Sequence, residues 1–243
     1  MSSDYFSAAI MYGYYIIKKG RYQKMLKKKN IKQFMIEGVG AIWFFLTLVS
    51  TIVLIVLNCT PVYHYVINKY GLTLITGLSE EKLMLNYKAM ISYLQRPGGD
   101  ILQLPDFPMS ETGMIHFADV KNIFMGLYTI VLLFVIAMII YVVIKHHDKD
   151  KCILSIFNKG ANLVFIVFGL LICMITFSFS KTFTMFHKLF FRNDYWVFDY
   201  RVDPVILALP EELFMILSIM IISLLFITSV IIKVTYHKSK RMK

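Results

Sequence analysis

IFMGLYTIVLLFVIAMIIYVVI, residues 123–144, runs for 22 residues without one ionised side chain. A helix rises 1.5 Å per residue, so about 20 apolar residues cross a hydrocarbon core of about 30 Å. Three more runs have the same character: Val39–Leu57, Ala161–Phe179 and Leu213–Ile232. Inside lipid no water is present to satisfy backbone amides, and uniformly apolar runs of this length answer that need as helices. The chain therefore reads as an all-α integral membrane protein with four transmembrane helices. A composition of 58% hydrophobic and 17% charged residues agrees, being too apolar for an ordinary soluble domain.

The net charge of +11 is distributed unevenly along the sequence. Segments 1–38, 145–160 and 233–243 hold 17 Lys and Arg and a net charge of +13; segments 58–122 and 180–212 hold 9 and a net charge of −2. Lys and Arg accumulate on the cytoplasmic side of short membrane-flanking segments. Both termini are thus expected in the cytoplasm, with 58–122 and 180–212 forming an extracytoplasmic cap. The chain divides into a basic cytoplasmic segment 1–38, a four-span domain 39–233 and a basic tail 234–243. The run KKGRYQKMLKKKN (18–30) fits a solvated flank touching anionic lipid, and no nucleic-acid partner is expected. The first apolar run follows more than thirty mostly polar residues and is expected to remain as a signal anchor. Cys59, Cys152 and Cys173 form no CxxC or zinc-like spacing and read as free thiols.

In the first outer segment, TGLSEEKLMLNYKAMISYL (76–94) predicts a helix capped by Ser79, with Glu80 and Glu81 at its positive end. Leu83, Tyr87, Met90, Ile91 and Leu94 share its apolar face, and Pro97-Gly98-Gly99 ends it. ILQLPDFPMSETG then runs irregularly, with a short strand around Ile101–Leu104 left open. The second outer segment is dense in aromatics: Phe183, Phe186, Phe190, Phe191, Tyr195, Trp196, Phe198 and Tyr200. An interfacial belt explains most of them. The interleaved Asn193, Asp194, Asp199, Arg201 and Asp203 also suit a lipid-headgroup pocket.

Each outer segment carries a histidine beside the membrane, His116 in SETGMIHFADVK and His187 in TMFHKLFFRNDYWVFD. Topology brings both to one face of the bilayer. An interfacial histidine alone is more often a hydrogen-bonded surface residue, but an imidazole with a pKa of about 6.5 can take and return protons near neutrality. Asp119 shares a helix face with His116 and either fixes its tautomer or begins the next helix.

LSEEKLMLNYKAMISYL, LPDFPMSETGMIHFADVKNIF and FHKLFFRNDYWVFDYRVDPVILALPEELF, in this order and spacing, resemble the lipoprotein intramolecular transacylase family of bacterial membrane proteins. The resemblance covers about residues 40 to 230 and excludes the basic N-terminal segment. It implies an enzyme of the bacterial cytoplasmic membrane, active at its outer face, whose partners are a diacylated lipoprotein substrate and membrane phospholipid. Such an enzyme moves the sn-2 acyl chain of the diacylglyceryl-cysteine to the N-terminal amine, giving a lyso-form lipoprotein. The family's histidine pair maps onto His116 and His187, with either ring as base on the amine and the other as donor to the leaving glycerol oxygen.

Ester and amine belong to one molecule, so folding it in the site supplies a high effective concentration. Ester to amide runs downhill, and no cofactor or metal is expected. Asn86, Tyr87, Lys121 and Arg192 are candidates for stabilising the oxyanion or binding substrate, with Asp194 a candidate to orient His187. For Tyr87 helix packing is an equal explanation, and Lys121 is equally a phosphate ligand or a snorkelling side chain. Asp203, Pro204, Pro210 and Glu211 read as architectural.

A covalent route would use Ser110 or Cys59, neither in a nucleophile elbow. A transporter is disfavoured because no ionisable residue lies within the four runs. A metal-dependent hydrolase lacks an HExxH-like pair. A non-catalytic scaffold binding a partner through its outer segments is the alternative that sequence leaves standing.

Overall fold

The computed structural model describes residues 2–99, 101–144 and 151–241, with side chains at 18, 19, 31–99, 101–144 and 152–241. Eight α-helices follow in order: α1 (Ser2–Leu57), α2 (Thr60–Tyr70), α3 (Leu72–Thr76), α4 (Glu80–Gln95), α5 (Glu111–Ile144), α6 (Lys151–Phe177), α7 (Phe179–Phe190) and α8 (Glu211–Arg241), with a 3₁₀ turn at Pro204–Ala208 before α8. Four are long and apolar enough to cross a membrane, over Ile31–Leu57, Glu111–Ile144, Cys152–Phe177 and Glu211–Arg241. Among the described residues there is no strand, and Ile101–Leu104 is coil.

The spans pack as a small bundle. α1 lies against α5, α6 and α8, and α6 packs on α8. Their shared core is Ile52, Val56, Val164, Phe168, Ile222 and Leu225. None of the most apolar window of α5 is buried, so that helix presents its apolar side chains outward, as lipid requires. At the helix rise α5 is about 50 Å long against a hydrocarbon core of about 30 Å, so several turns project beyond it. His116 lies in the second turn.

The ends of the apolar runs differ from the sequence reading in instructive ways. The basic segment and the first run form one helix, without a break at residue 38. Glu37, 9% exposed, is tied to α6: its carboxylate accepts from Lys159 Nζ and Ser155 Oγ, both at 2.8 Å, and from Gln33 Nε2 at 3.0 Å. Three donors offset the desolvation of a carboxylate this close to the membrane. Gly160 sits where α6 crosses α1; a Cβ there would fall 2.6 Å from Phe44 Cδ1 and 3.1 Å from the Ala41 carbonyl. The third span stops at Phe177, because Ser178 caps α7 by accepting from Lys181 N at 3.3 Å. Sequence reading left α7 as aromatic-rich chain.

The outer segments build a second core from Tyr63, Leu72, Leu83, Tyr87, Leu94, Leu102, Phe107, Phe117, Val205, Leu213 and their neighbours. Helix α4 starts after Ser79 as its sequence predicts, with Ser79 Oγ accepting from Lys82 N at 3.4 Å, and buries Leu83, Tyr87, Met90, Ile91 and Leu94. Tyr63 stacks on Tyr87 with ring centroids 4.0 Å apart and donates its hydroxyl to the Ala208 carbonyl at 2.9 Å. That contact links both outer segments.

Candidate active site

α5 enters from a loop, and its first turn is held from the other outer segment. Buried Asp203 accepts from Ser110 N through Oδ1 and from Ser110 Oγ through Oδ2, both at 2.7 Å. Ser110 Oγ in turn accepts from Gly113 N at 3.0 Å. Ser110 thus works as a helix cap with its hydroxyl already engaged, and residue 113 must be small: a Cβ there would lie 2.6 Å from Asp203 Oδ1. One turn on, this clamp presents His116.

His116 is 6% exposed and lies 6.1 Å from His187, centroid to centroid, with the rings inclined by 34°. Aromatic walls surround the pair. Phe191 and Phe198 meet His116 edge-on at 4.8 and 5.5 Å, while Trp196 and Phe183 lie 4.8 and 4.2 Å from His187. α7 supplies His187, and its apolar outer side leaves Phe186, Leu189 and Phe190 exposed beside the site. Two elements distant in sequence therefore bring both histidines into one apolar box.

The hydrogen bonds define the chemistry available. His187 Nδ1 lies 2.8 Å from the Phe183 carbonyl, which only accepts, so Nδ1 carries the proton. In the neutral ring the lone pair is then on Nε2. Burial lowers the pKa of His187 below its ordinary value, against a smaller upward pull from the Phe183 carbonyl. His116 Nδ1 and Trp196 Nε1 are both buried and have no hydrogen-bond partner among the described residues. An unpaired buried polar group costs about 1–3 kcal/mol, so each of these two atoms calls for a polar partner.

The remaining candidates fall elsewhere. Asp119 accepts from Asn193 Nδ2 at 3.2 Å, which ties α5 to the loop after α7. Asn86 has both amide protons committed, to the Lys82 carbonyl and Asp106 Oδ2 at 2.8 Å, and its oxygen accepts from Asp106 N at 3.1 Å. It anchors the loop before α5 and has no donor left for a substrate. Hydrogen bonds from Lys82 and Asn86 lower the pKa of Asp106, which stays a carboxylate in that clamp. Tyr87 lies in the outer core, its phenol pushed up to about 12 by burial. Lys121 is 5% exposed, with Nζ 4.3 Å over the Tyr93 ring and no hydrogen-bond partner among the described residues. It is five residues beyond His116, about 140° around the helix, and faces α4 instead of the imidazoles. Arg192 and Asp194 are exposed.

Sequence reading placed Trp196, Phe191 and Phe198 in an interfacial belt and missed them as walls of the box. The i, i+4 spacing of Phe183 and His187 was the available signal for the tautomer-fixing bond. Nothing local to Asn193 points to its partner 74 residues away.

Four apolar spans, a cap packed from the two segments between them and a buried imidazole pair define a multi-pass membrane protein. The family description "Lipoprotein intramolecular transacylase Lit" matches residues 39–214. The chain belongs to this family. Solved structures agree: the membrane integral transacylase Lit from Bacillus cereus is 31% identical, superposes with a TM-score of 0.76, and the match covers 88% of this chain and 100% of that one. A variant of that protein with a histidine replaced by arginine is 30% identical at TM-score 0.73, covering 90% of this chain and 98% of that one. One with a histidine replaced by alanine is 31% identical at TM-score 0.72, covering 90% and 99%. No curated protein matches the sequence.

Proposed function

We propose that this chain transfers the sn-2 acyl group of a diacylglyceryl-cysteine lipoprotein to that lipoprotein's own N-terminal amine, at the outer face of the bacterial cytoplasmic membrane. Lipoprotein and surrounding phospholipid are its partners, and both termini are cytoplasmic. The observation that carries the reading is the facing of His116 and His187 in one apolar box built from both outer segments.

His187 acts as base. Its Nδ1 bond to Phe183 supports a lone pair on Nε2, which removes a proton from the amine as the N–C bond forms. His116 receives that proton from His187 while the tetrahedral intermediate stands and donates it to the glycerol oxygen as the C–O bond breaks, which leaves both rings as they began. Over the cycle one N–H proton becomes one O–H proton, with no net exchange. Burial opposes a second positive charge on the pair and supports its carrying at most one proton at a time. Trp196 Nε1 supplies a donor to the oxyanion of the tetrahedral intermediate, its lack of a partner being the support. Asn86, Asp119 and Asp203 position the elements, and Lys121, Arg192 and Asp194 are outside the reacting box.

The test is a synthetic diacylglyceryl-cysteine peptide incubated with the purified full chain. The expected product has unchanged total mass, with one acyl group found on nitrogen by fragmentation. A substrate returned intact, or a loss of one fatty acid, would overturn the reading.

A further inference from the structure

A second polar site lies where α1 ends, on the face of α4 that carries Lys88, Ser92, Gln95 and Arg96. Together with Asn58 and Thr60 these residues line an open groove of about 430 Å³ floored by Ile91. It shares no residue with the aromatic box around the histidines.

Its polar wall is organised. Asn58 Nδ2 donates to Gln95 Oε1 at 3.3 Å and Gln95 Nε2 donates to Asn58 Oδ1 at 3.0 Å, a reciprocal amide pair. Tyr128 on α5 braces it by donating to Gln95 Oε1 at 2.9 Å. Arg96 Nη2 reaches, among the described residues, the neutral Ser92 Oγ at 3.4 Å. Among the described residues no carboxylate lines the groove, and neither Lys88 nor Arg96 has an ion-pair partner. Elsewhere on this side Lys82 pairs with Asp106 and Arg201 with Asp199. A third cation, the buried and unpaired Lys121, belongs to the same α4–α5 contact, since Lys121 and Tyr128 are seven residues apart on one face of α5.

We propose that this groove binds the phosphate of an anionic phospholipid headgroup in the leaflet next to the histidine pair. The position argues for a lipid source: Asn58 immediately follows the first span, and Ile55, one turn below, is 60% exposed for an acyl chain to lie on. Thr60 and Ser92 hydroxyls and the two cations supply donors to phosphate oxygens, and Ile91 receives the glycerol carbons. The site goes beyond acyl transfer and stands independently of it.

Native mass spectrometry of the full chain released from detergent, titrated with phosphatidylglycerol, phosphatidylcholine or inorganic phosphate, tests this. Wild type should retain phosphatidylglycerol in preference to phosphatidylcholine, and K88Q/R96Q should weaken that retention on the order of 20-fold, as expected for two lost cations near a headgroup. K69Q/K181Q, which removes two exposed outer-face charges away from the groove, should bind like wild type. Ser92→Glu places a carboxylate in the groove and should abolish retention; it decides the matter if the double variant does not fold. Equal retention by wild type, K88Q/R96Q and S92E would overturn the proposal. So would equal loss in K69Q/K181Q, which means bulk charge, or inorganic phosphate competing at the same concentration as the lipid, which means a site for free phosphate.

Discussion

His187 gives its Nδ1 proton to a carbonyl one turn back, which leaves Nε2 as the only nitrogen able to accept one. Because burial lowers its pKa, the ring is neutral above pH 6.5 in both folded and unfolded chains, and only the unfolded ring gains a proton just below that value. Its contribution to folding is therefore complete above about pH 6.5 and is lost as pH falls towards the depressed folded pKa. A melting curve in detergent should show that acid loss in wild type, and H187Q should show less of it, the remainder belonging to the buried His116. Catalysis should follow the same proton. The attacking α-amine has a pKa of about 7.7–8.0 and His187 one below about 6.5, so log kcat/KM should rise with slope 2 at acid pH, slope 1 between the two and level off above about 8. H187Q should retain only the single-slope limb of the amine. Trp196 separates packing from donation: W196F keeps a ring against His187 but removes the N–H, and kcat should fall on the order of 100-fold with KM little changed. An unaltered kcat would remove Trp196 from the oxyanion site.

The elements explain why the histidines face each other. Asp203 holds the first turn of α5 by two hydrogen bonds from Ser110, and α7 is set by the Ser178 cap. D203N keeps one oxygen for Ser110 N but replaces the charged acceptor of the Ser110 hydroxyl with an amide, and should cost about 1–3 kcal/mol in unfolding free energy and slow acyl transfer through a displaced His116. G113A drives a methyl against the same carboxylate and should do likewise; a variant as stable and active as wild type would contradict the clamp. The four spans and α4 were legible because hydrophobic length and the 3.6-residue period are local properties. α7 was not legible, since in FSKTFTMFHKLF the apolar side faces lipid and the buried side carries Thr182, which inverts the usual contrast between core and surface. Asn86, Asp119 and Asp203 gain their meaning from partners 20, 74 and 93 residues away. No window of sequence contains such pairs, so sequence alone leaves Asn86 one of several candidate donors, and the structure spends its amide on Lys82 and Asp106.

At the scale of the whole molecule, one bundle of four spans carries the cap, and the proposed reaction needs that cap beside the lipid-anchored substrate. The cation asymmetry of 17 against 9 is what supports the proposal that the cap faces outward. In a chain with Cys59, Cys152 and Cys173 changed to serine, K188C should react with a membrane-impermeant thiol reagent added to intact cells, and K240C should not; the reverse pattern would put the histidines on the cytoplasmic face. The measurement that bears most directly on the central claim is the initial rate of acyl migration from glycerol to nitrogen in purified wild type, H116Q and H187Q, read by fragmentation of the reporter lipopeptide. Each glutamine variant should fold and lose about 10²–10⁴-fold in rate, the range for a positioned acid or base. Folded variants that transfer the acyl group at the wild-type rate would contradict it.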